Sequence, residues 1–314
     1  MSFAAGAGSI NVDLLFEGMP RIPNEGEELF ARGFSLQMGG GVPATLLNLS
    51  GLGVPVRILT GLGEDMFSEF ARRKFDEFGA TPYNLAEGES GIPLNITAAI
   101  LTPNDRTFVS YTDGLNASVD RVYEAAKGAK VVEMGRDYLP AYRKLKSEGT
   151  ILVFDTGWDD DMSLDSYREY LELADYYTPN QKEALKITGT DNPSDAAKVL
   201  EQFFDRVIVK LDKDGCLIRE NGRERVIANI PVVHRDSTGA GDAFLAGLMY
   251  GLYHDYSFEQ SVLFGNITGG TCVTAVGCLS ARPTESELLE KFKQYQHLLG
   301  CCTGRRILEK RKLA

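Results

Sequence analysis

The stretch Asp236-Ser237-Thr238-Gly239-Ala240-Gly241-Asp242-Ala243-Phe244 places two glycines and two carboxylates at the mouth of an apolar, small-residue run. Ala243, Phe244, Ala246, Gly247, Leu248, Tyr250 and Gly251 follow with the pattern of a buried helix, and Val232-Val233 before them reads as a strand end. The first N–H groups of a helix have no intrahelical acceptor and can point at an anion. Glycine lets that backbone approach a phosphate with no side chain in the way. Asp242 is out of place in such a turn, because a carboxylate repels phosphate. It makes sense facing a second reactant, an alcohol whose proton must leave. An anion hole beside a base is what phosphoryl transfer to a hydroxyl requires. The same residues also read as a glycine-rich loop with an aspartate on a helix N-terminus, and the rest of the chain has to decide.

Three other groupings bear on that choice. Asn11 and Asp13 alternate with Ile10 and Val12, so both face one side of an extended segment. At the carboxyl end of a strand they are placed to hold sugar hydroxyls, or else to cap a turn. Met38-Gly39-Gly40-Gly41-Val42-Pro43-Ala44-Thr45 is a second glycine junction leading into a helix, with Pro43 in its first turn. Asn180-x-x-Glu183 is a capping box by spacing. It also sets an amide and a carboxylate one turn apart, where they can order the water shell of Mg²⁺ and a phosphate.

The elements that position these groups alternate in type. Phe3 to Asp13 reads as one buried strand ending in polar residues; Gly6-x-Gly8 within it lacks the third glycine of a dinucleotide fingerprint. Glu28–Gln37 reads as a strand, Val54–Thr60 as another, and Met66–Phe78 as a helix with core phenylalanines. Asn95–Leu101 and Thr107–Tyr111 flank the turn Pro103-Asn104-Asp105-Arg106 as a hairpin. Strands at Ala129–Met134, Ile151–Phe154, Tyr176-Tyr177 and Arg206–Leu211 alternate with helices, and Cys216–Arg219 with Arg225–Ala228 makes a second hairpin. Phe258–Val276 is a further small-residue helix and Glu285–Leu299 a closing amphipathic one. This order implies a parallel sheet with helices on both faces and a site along its carboxyl edge. The β-rich regions 14–38 and 90–113 form a small sheet set apart from it.

Composition removes other classes. The net charge of −11 and pI near 4.9 argue against nucleic-acid or anionic-membrane partners. No stretch approaches a membrane span, and Met1–Phe16 lacks a signal peptide's basic region. Five unevenly spaced cysteines without a CxxC suit a reducing cytoplasm better than a disulfide or zinc framework. Three scattered histidines leave little material for His-based catalysis, and Asp159-Asp160-Asp161 reads as a solvated loop. The basic tail 303–314 reads as a solvated end.

With these motifs together, the chain resembles the ribokinase-like (PfkB) sugar kinases from about Gly8 to Pro283. Asp236 to Asp242 matches that family's C-terminal signature almost residue for residue, and Gly40 to Thr45 resembles its N-terminal glycine signature. The resemblance implies a single α/β domain over 1–314, a three-layer α/β/α fold with a mainly parallel central sheet and a small β-sheet lid. It implies Asp242 as catalytic base and the N–H groups of Gly239, Ala240, Gly241 and Asp242 as anion hole. Asn11, Asp13, Gly40, Gly41 and Thr45 fall at the sugar. Asn180, Lys210, Asp212, Gly215, Gly241 and Asn266 fall at the nucleotide, with Glu183 holding Mg²⁺ through water. Asp236 and Thr238, helped by carbonyls near Thr274–Gly277, fall where many members bind K⁺. The lid implies a homodimer.

The chain departs from the family at Val42, where ribokinases proper often carry lysine, at Thr45, where asparagine is common, and at Leu211-Asp212 in place of Leu-Gly. The expected activity is ATP-dependent phosphorylation of a primary hydroxyl on a small sugar. A nucleoside kinase, with Phe30, Phe108 and Tyr111 forming a slot for the base, is the first alternative. A sugar- or nucleotide-binding regulator without turnover is the second.

Overall fold

The computed structural model describes residues 2–86 and 91–300. In chain order its strands are β1 (Ala4–Ala7), β2 (Asn11–Glu17), β3 (Gly33–Met38), β4 (Val56–Thr60), β5 (Tyr83–Asn84), β6 (Asn95–Leu101), β7 (Arg106–Tyr111), β8 (Val131–Met134), β9 (Ile151–Phe154), β10 (Tyr176–Tyr177), β11 (Arg206–Lys210), β12 (Cys216–Glu220) and β13 (Arg223–Ile227). The helices are α1 (Val42–Gly51), α2 (Met66–Glu77), α3 (Val119–Ala126), α4 (Leu139–Ser147), α5 (Leu164–Leu173), α6 (Gln181–Thr188), α7 (Pro193–Leu200), α8 (Ala240–Tyr253), α9 (Phe258–Cys272) and α10 (Glu285–Tyr295).

β1 lies inside a six-stranded sheet of order β10-β9-β8-β1-β4-β5, parallel throughout. Its residues are all small and buried. They have to be small, because α1 packs directly over them: a Cβ on Gly6 would stand 2.7 Å from Val42 Cγ1. The glycines of Gly6-x-Gly8 therefore serve close helix–sheet packing. On the same face, α8 packs against α1 and α9 packs tightly against α8 along small residues, with Gly251 so close that a Cβ would meet Ser261 Cα at 2.6 Å. The parallel edge passes through one bridge, Asn180 to Lys210, into an antiparallel sheet β11-β12-β13.

A four-stranded sheet of order β3-β2-β6-β7 stands apart, with β2 and β6 parallel and the outer pairs antiparallel. Its first strand begins at Asn11, so the Asn11/Asp13 pair belongs to this sheet and not to the central one. The expected single strand from Phe3 to Asp13 is thus two strands in two sheets, broken between Ala7 and Asn11. Both halves are apolar and extended, so periodicity alone does not show the break.

Three further readings are corrected. Residues 28–32 carry no strand, and β3 starts only at Gly33. Val232-Val233 is no strand either; Val233 is 79% exposed, so its β-branched side chain gains no burial. Helix α3, which the sequence reading passed over, is eight residues long, capped by Ser118 and buried through Val122, Ala125 and Ala126. The tail 303–314, Cys301-Cys302 and residue 90 of the small sheet's expected range lie outside the described residues. No helix among the described residues is long and apolar enough to cross a membrane.

Candidate active site

Gly239 caps α8 in the left-handed region at φ 76°, and Asp242 sits in the first turn. Glycine is required there twice over: a Cβ would stand 2.5 Å from Cys278 Cα, and L side chains avoid this conformation. The N–H groups of Gly241 and Asp242 face the open end of the helix without intrahelical acceptors. The Ala240 N–H donates to Ser237 O at 3.2 Å. Asp242 is partly buried. Burial, and then the charge of Asp155, push its carboxyl up to about 7, against the Gly41 N–H and Lys210, which pull it down.

The two glycines before α1 join this carboxylate to the Asn11/Asp13 pair. A Cβ on Gly40 would stand 2.5 Å from Asp242 Oδ2. A Cβ on Gly39 would stand 2.7 Å from both Asn11 Nδ2 and Asp13 Oδ2. Asn11 Nδ2 donates to Asp13 Oδ1 at 2.8 Å, and Thr97 Oγ1 donates to Asn11 Oδ1 at 3.3 Å. Thr97 also shares a hydrogen bond with Ser110 at 3.0 Å, so a polar line crosses the small sheet from β2 to β7. Burial lifts the Asp13 carboxyl to about 6. A hydroxylated ligand bound by this pair would reach Asp242 across the Gly39-Gly40 backbone.

On the other side of Asp242 lies a cleft of about 810 Å³. Asn180, Lys210, Asp212, Gly215, Gly241 and Asn266 all line it. Gly215 has φ 101°, and a Cβ there would meet Asn229 N at 2.6 Å, so this turn needs glycine. Asn180 and Glu183 make the reciprocal capping box in full, Glu183 N to Asn180 Oδ1 at 3.0 Å and Asn180 N to Glu183 Oε2 at 2.8 Å. The capping box is therefore formed; Asn180 lines the cleft, and Glu183 is buried behind it, near enough to Lys210 to feel its charge.

Lys210 is the centre of charge. Its Nζ lies 3.4 Å from Asp155 Oδ2 and 3.4 Å from where a Cβ on Gly241 would stand. Burial lowers its pKa, but Asp155, Glu183 and Asp242 together outweigh that and raise it. Burial drives the Asp155 and Glu183 carboxyls up, with Lys210 opposing. Glu133 of β8 is fully buried and also pushed well up by burial and by its carboxylate neighbours. One ammonium thus faces an excess of carboxyls, a balance that a cation entering with phosphates would relieve.

One expected contact is placed differently, and another lines the cleft with its amide already engaged. Thr45 is fully buried and turns its hydroxyl toward Glu133 Oε1, 3.5 Å away, inside α1's packing face. Asn266 lines the cleft, but its amide donates to the carbonyls of Ile227 at 2.9 Å and Ala228 at 3.2 Å. Asp236 and Thr238 lie together beneath the anion turn, and Arg106 of β7 reaches both. Asp155, Glu133, Thr97 and Arg106 were not singled out from sequence. Asp155 ends an apolar strand and Glu133 interrupts one, and both are signals of a polar group held at or under a sheet edge.

Comparison with known proteins gives a family and a fold. A family model described as pfkB family carbohydrate kinase matches residues 8–285. The chain is 25% identical to a ribokinase of Haemophilus influenzae over 301 residues, covering 90% of this chain and 96% of the relative. It is also 25% identical to a 5-dehydro-2-deoxygluconokinase of Clostridium botulinum over 299 residues, covering 83% of this chain and 86% of the relative. The structure of Arabidopsis thaliana ribokinase complexed with ribose and ATP superposes with a TM-score of 0.79 at 22% identity, covering 96% of this chain and 99% of that one.

Proposed function

Because the chain belongs to the pfkB family of carbohydrate kinases, and so is a phosphotransferase with an alcohol acceptor, we propose that it moves the γ-phosphoryl group of ATP to a primary hydroxyl of a small sugar. One observation carries this reading. Gly39 lies against Asn11 and Asp13 while Gly40, the next residue, lies against Asp242. The hydroxyl-binding pair and the carboxylate therefore meet across a single peptide step.

In this reading Asn11 and Asp13 hold the sugar, and Asp242 accepts the hydroxyl proton as the oxygen attacks phosphorus in line. The N–H groups at the start of α8 receive the charge that develops on the transferring group. The Lys210 ammonium, beside Gly241, adds to that field. ATP lies in the cleft over Gly215 and Gly241, against the wall that Asn266 braces. The small sheet acts as a lid, and closing it keeps water from the phosphate.

Glu183 and Asp155 are suited to Mg²⁺. Two carboxylates without a third are a poor cage, but Mg²⁺ keeps several waters and takes phosphate oxygens as ligands. Among the described residues no group of three or more His, Cys, Asp and Glu offers a metal cage. When bound, the ion neutralises charge on the phosphates. Phe34, Val109 and Tyr111 are exposed on the lid face opposite Asn11 and Asp13, which supports a homodimer through the lid sheet. A cytoplasmic location, where ATP is supplied, completes the reading.

Phe108, about half exposed on the same lid face as Thr97 and Ser110, also leaves room for a nucleoside acceptor, whereas Tyr111, expected to share that slot, lies on the opposite face. Phe30, the third residue of such a slot, is 79% exposed and lies outside the lid strands. A coupled assay of ADP release over ribose, fructose, 5-dehydro-2-deoxygluconate and adenosine, with and without Mg²⁺, separates the readings. A sugar should raise ADP release far above the acceptor-free rate. ADP release with adenosine alone would replace the sugar reading, and tight sugar binding with no ADP would replace the enzyme by a regulator.

Asp13→Ala is expected to raise KM for the accepted sugar at least about tenfold, because a site built to bind a hydroxyl loses that partner. KM for ATP should stay at the parent value. Steady-state titration of each substrate checks this, and equal changes in both KM values would detach Asp13 from the sugar.

A further inference from the structure

The pair Asp236 and Thr238 does not present itself as a vacant ion site. A monovalent cation needs oxygens that are free to accept it. Here both oxygens of Asp236 already face donors. Oδ1 accepts from Thr238 N at 3.0 Å and Thr238 Oγ1 at 2.9 Å, and Arg106 Nη1 approaches it to 3.4 Å. Oδ2 accepts from Gly277 N at 2.9 Å. Arg106 Nη1 also donates to Thr238 Oγ1 at 2.6 Å. The Thr238 carbonyl, another candidate ligand, lies 3.5 Å from the Cys272 thiol, which donates to it. A guanidinium thus engages the same Asp236 and Thr238 side-chain oxygens that an ion would need, and its charge balances the carboxylate.

Arg106 comes from the lid. It is the first residue of β7 and pairs with Leu101, at the end of the lid sheet far from Asn11. Its guanidinium lies 5.6 Å from the centre of the Phe108 ring on the same strand, which helps hold it extended. Asp236 and Thr238 directly precede the Gly239 turn. The link therefore ties the tip of the lid to the loop that carries the anion hole.

We propose that Arg106 is this chain's resident cation: it replaces the monovalent ion beneath the anion hole and, being on the lid, sets the Asp236–Gly239 loop only when the lid is closed. Arg106 is a positioning residue, acting on the transferring phosphate through Thr238 and Gly239. A guanidinium that arrives with the lid makes completion of the anion hole depend on closure, whereas a diffusible ion would leave the two uncoupled.

This inference rests on the kinase reading, and the test separates the two. Parent, Arg106→Ala and Arg106→Lys are assayed in full length with Mg-ATP and the accepted sugar, with tetramethylammonium, Na⁺ or K⁺ as the supporting cation at equal ionic strength. Parent turnover should be the same in all three. Arg106→Ala should lose about tenfold or more in kcat through a misplaced loop, with K⁺ or added guanidinium ion restoring part of it. Arg106→Lys should keep more activity than the alanine variant. Thermal melts of the same samples without substrates give a second readout: K⁺ should raise the Tm of Arg106→Ala relative to Na⁺ and leave the parent unchanged. Activation or stabilisation of the parent by K⁺ over Na⁺ would overturn the proposal, as would an alanine variant with parental kcat or one that neither ion rescues. If no sugar is phosphorylated by the parent, the kinase reading fails, and the melts still decide whether Arg106 fills the ion site.

Discussion

Asp242→Asn should lower kcat by about 10²- to 10⁴-fold and leave the dissociation constant for ATP close to that of the parent. The amide keeps the shape of the side chain, so the Gly40 contact and the start of α8 stay as they are. What it loses is the ability to take a proton. Isothermal titration with a non-hydrolysable ATP analogue, beside steady-state kinetics, reads both quantities. Near-parental turnover would remove Asp242 from the role of base.

The same carboxylate fixes two pH dependences. A base must be deprotonated to act, and burial with the Asp155 charge holds Asp242 up to about 7. The parent's kcat/KM should therefore climb with pH up to about 7 and level off above it, with a steeper fall below about 6 as Asp13 also takes a proton. Stability runs the opposite way. Asp242's folded pKa, about 7, lies above its unfolded value of 3.8, so between these values the folded chain holds the extra proton. Stability from this group is full below the lower value and declines as pH rises through the upper one. Asp242→Asn should then melt higher than the parent at pH 8, by about 2 to 5 °C, and the gap should close at low pH.

Gly239→Ala is the second large effect, and it acts through backbone. At φ 76° an alanine is strained by about 1–2 kcal/mol. Its Cβ would also stand 2.5 Å from Cys278 Cα, so the turn has to move. The N–H groups it carries would leave the transferring phosphate, and a displacement of about 1 Å costs on the order of 10²-fold in kcat. The helix behind it is held by the α8–α9 packing and should keep its circular dichroism. Parental kcat in a folded Gly239→Ala protein would show that this turn does not serve as the anion hole.

The parts of the site legible in sequence were those written locally. Gly239 to Asp242 and Asn180 to Glu183 are single turns whose chemistry lies in spacing alone. Asn11 and Asp13 were legible as a pair, but not their sheet, because the strand break after Ala7 changes no periodicity. Thr45 looked like a sugar contact in a glycine signature. Its place on the inner face of α1, turned to Glu133, depends on packing that the helix pattern leaves open. Asp155 and Glu133 become meaningful only when β8, β9 and, beyond β10, β11 bring them around Lys210. Arg106 meets Asp236 across 130 positions of chain, a distance at which neither charge nor spacing points from one to the other. The antiparallel β11–β13 sheet was read as a strand and a hairpin, and only the bridge from Asn180 to Lys210 shows how it extends the parallel edge.

The central claim is transfer of phosphate to a sugar hydroxyl, and ³¹P NMR of the reaction tests it most directly. Parent protein, Mg-ATP and the acceptor sugar should yield ADP and a new phosphomonoester resonance in equal amounts, with neither formed by Asp242→Asn on the same timescale. Inorganic phosphate in place of the ester, at a rate indifferent to the sugar, would contradict the account.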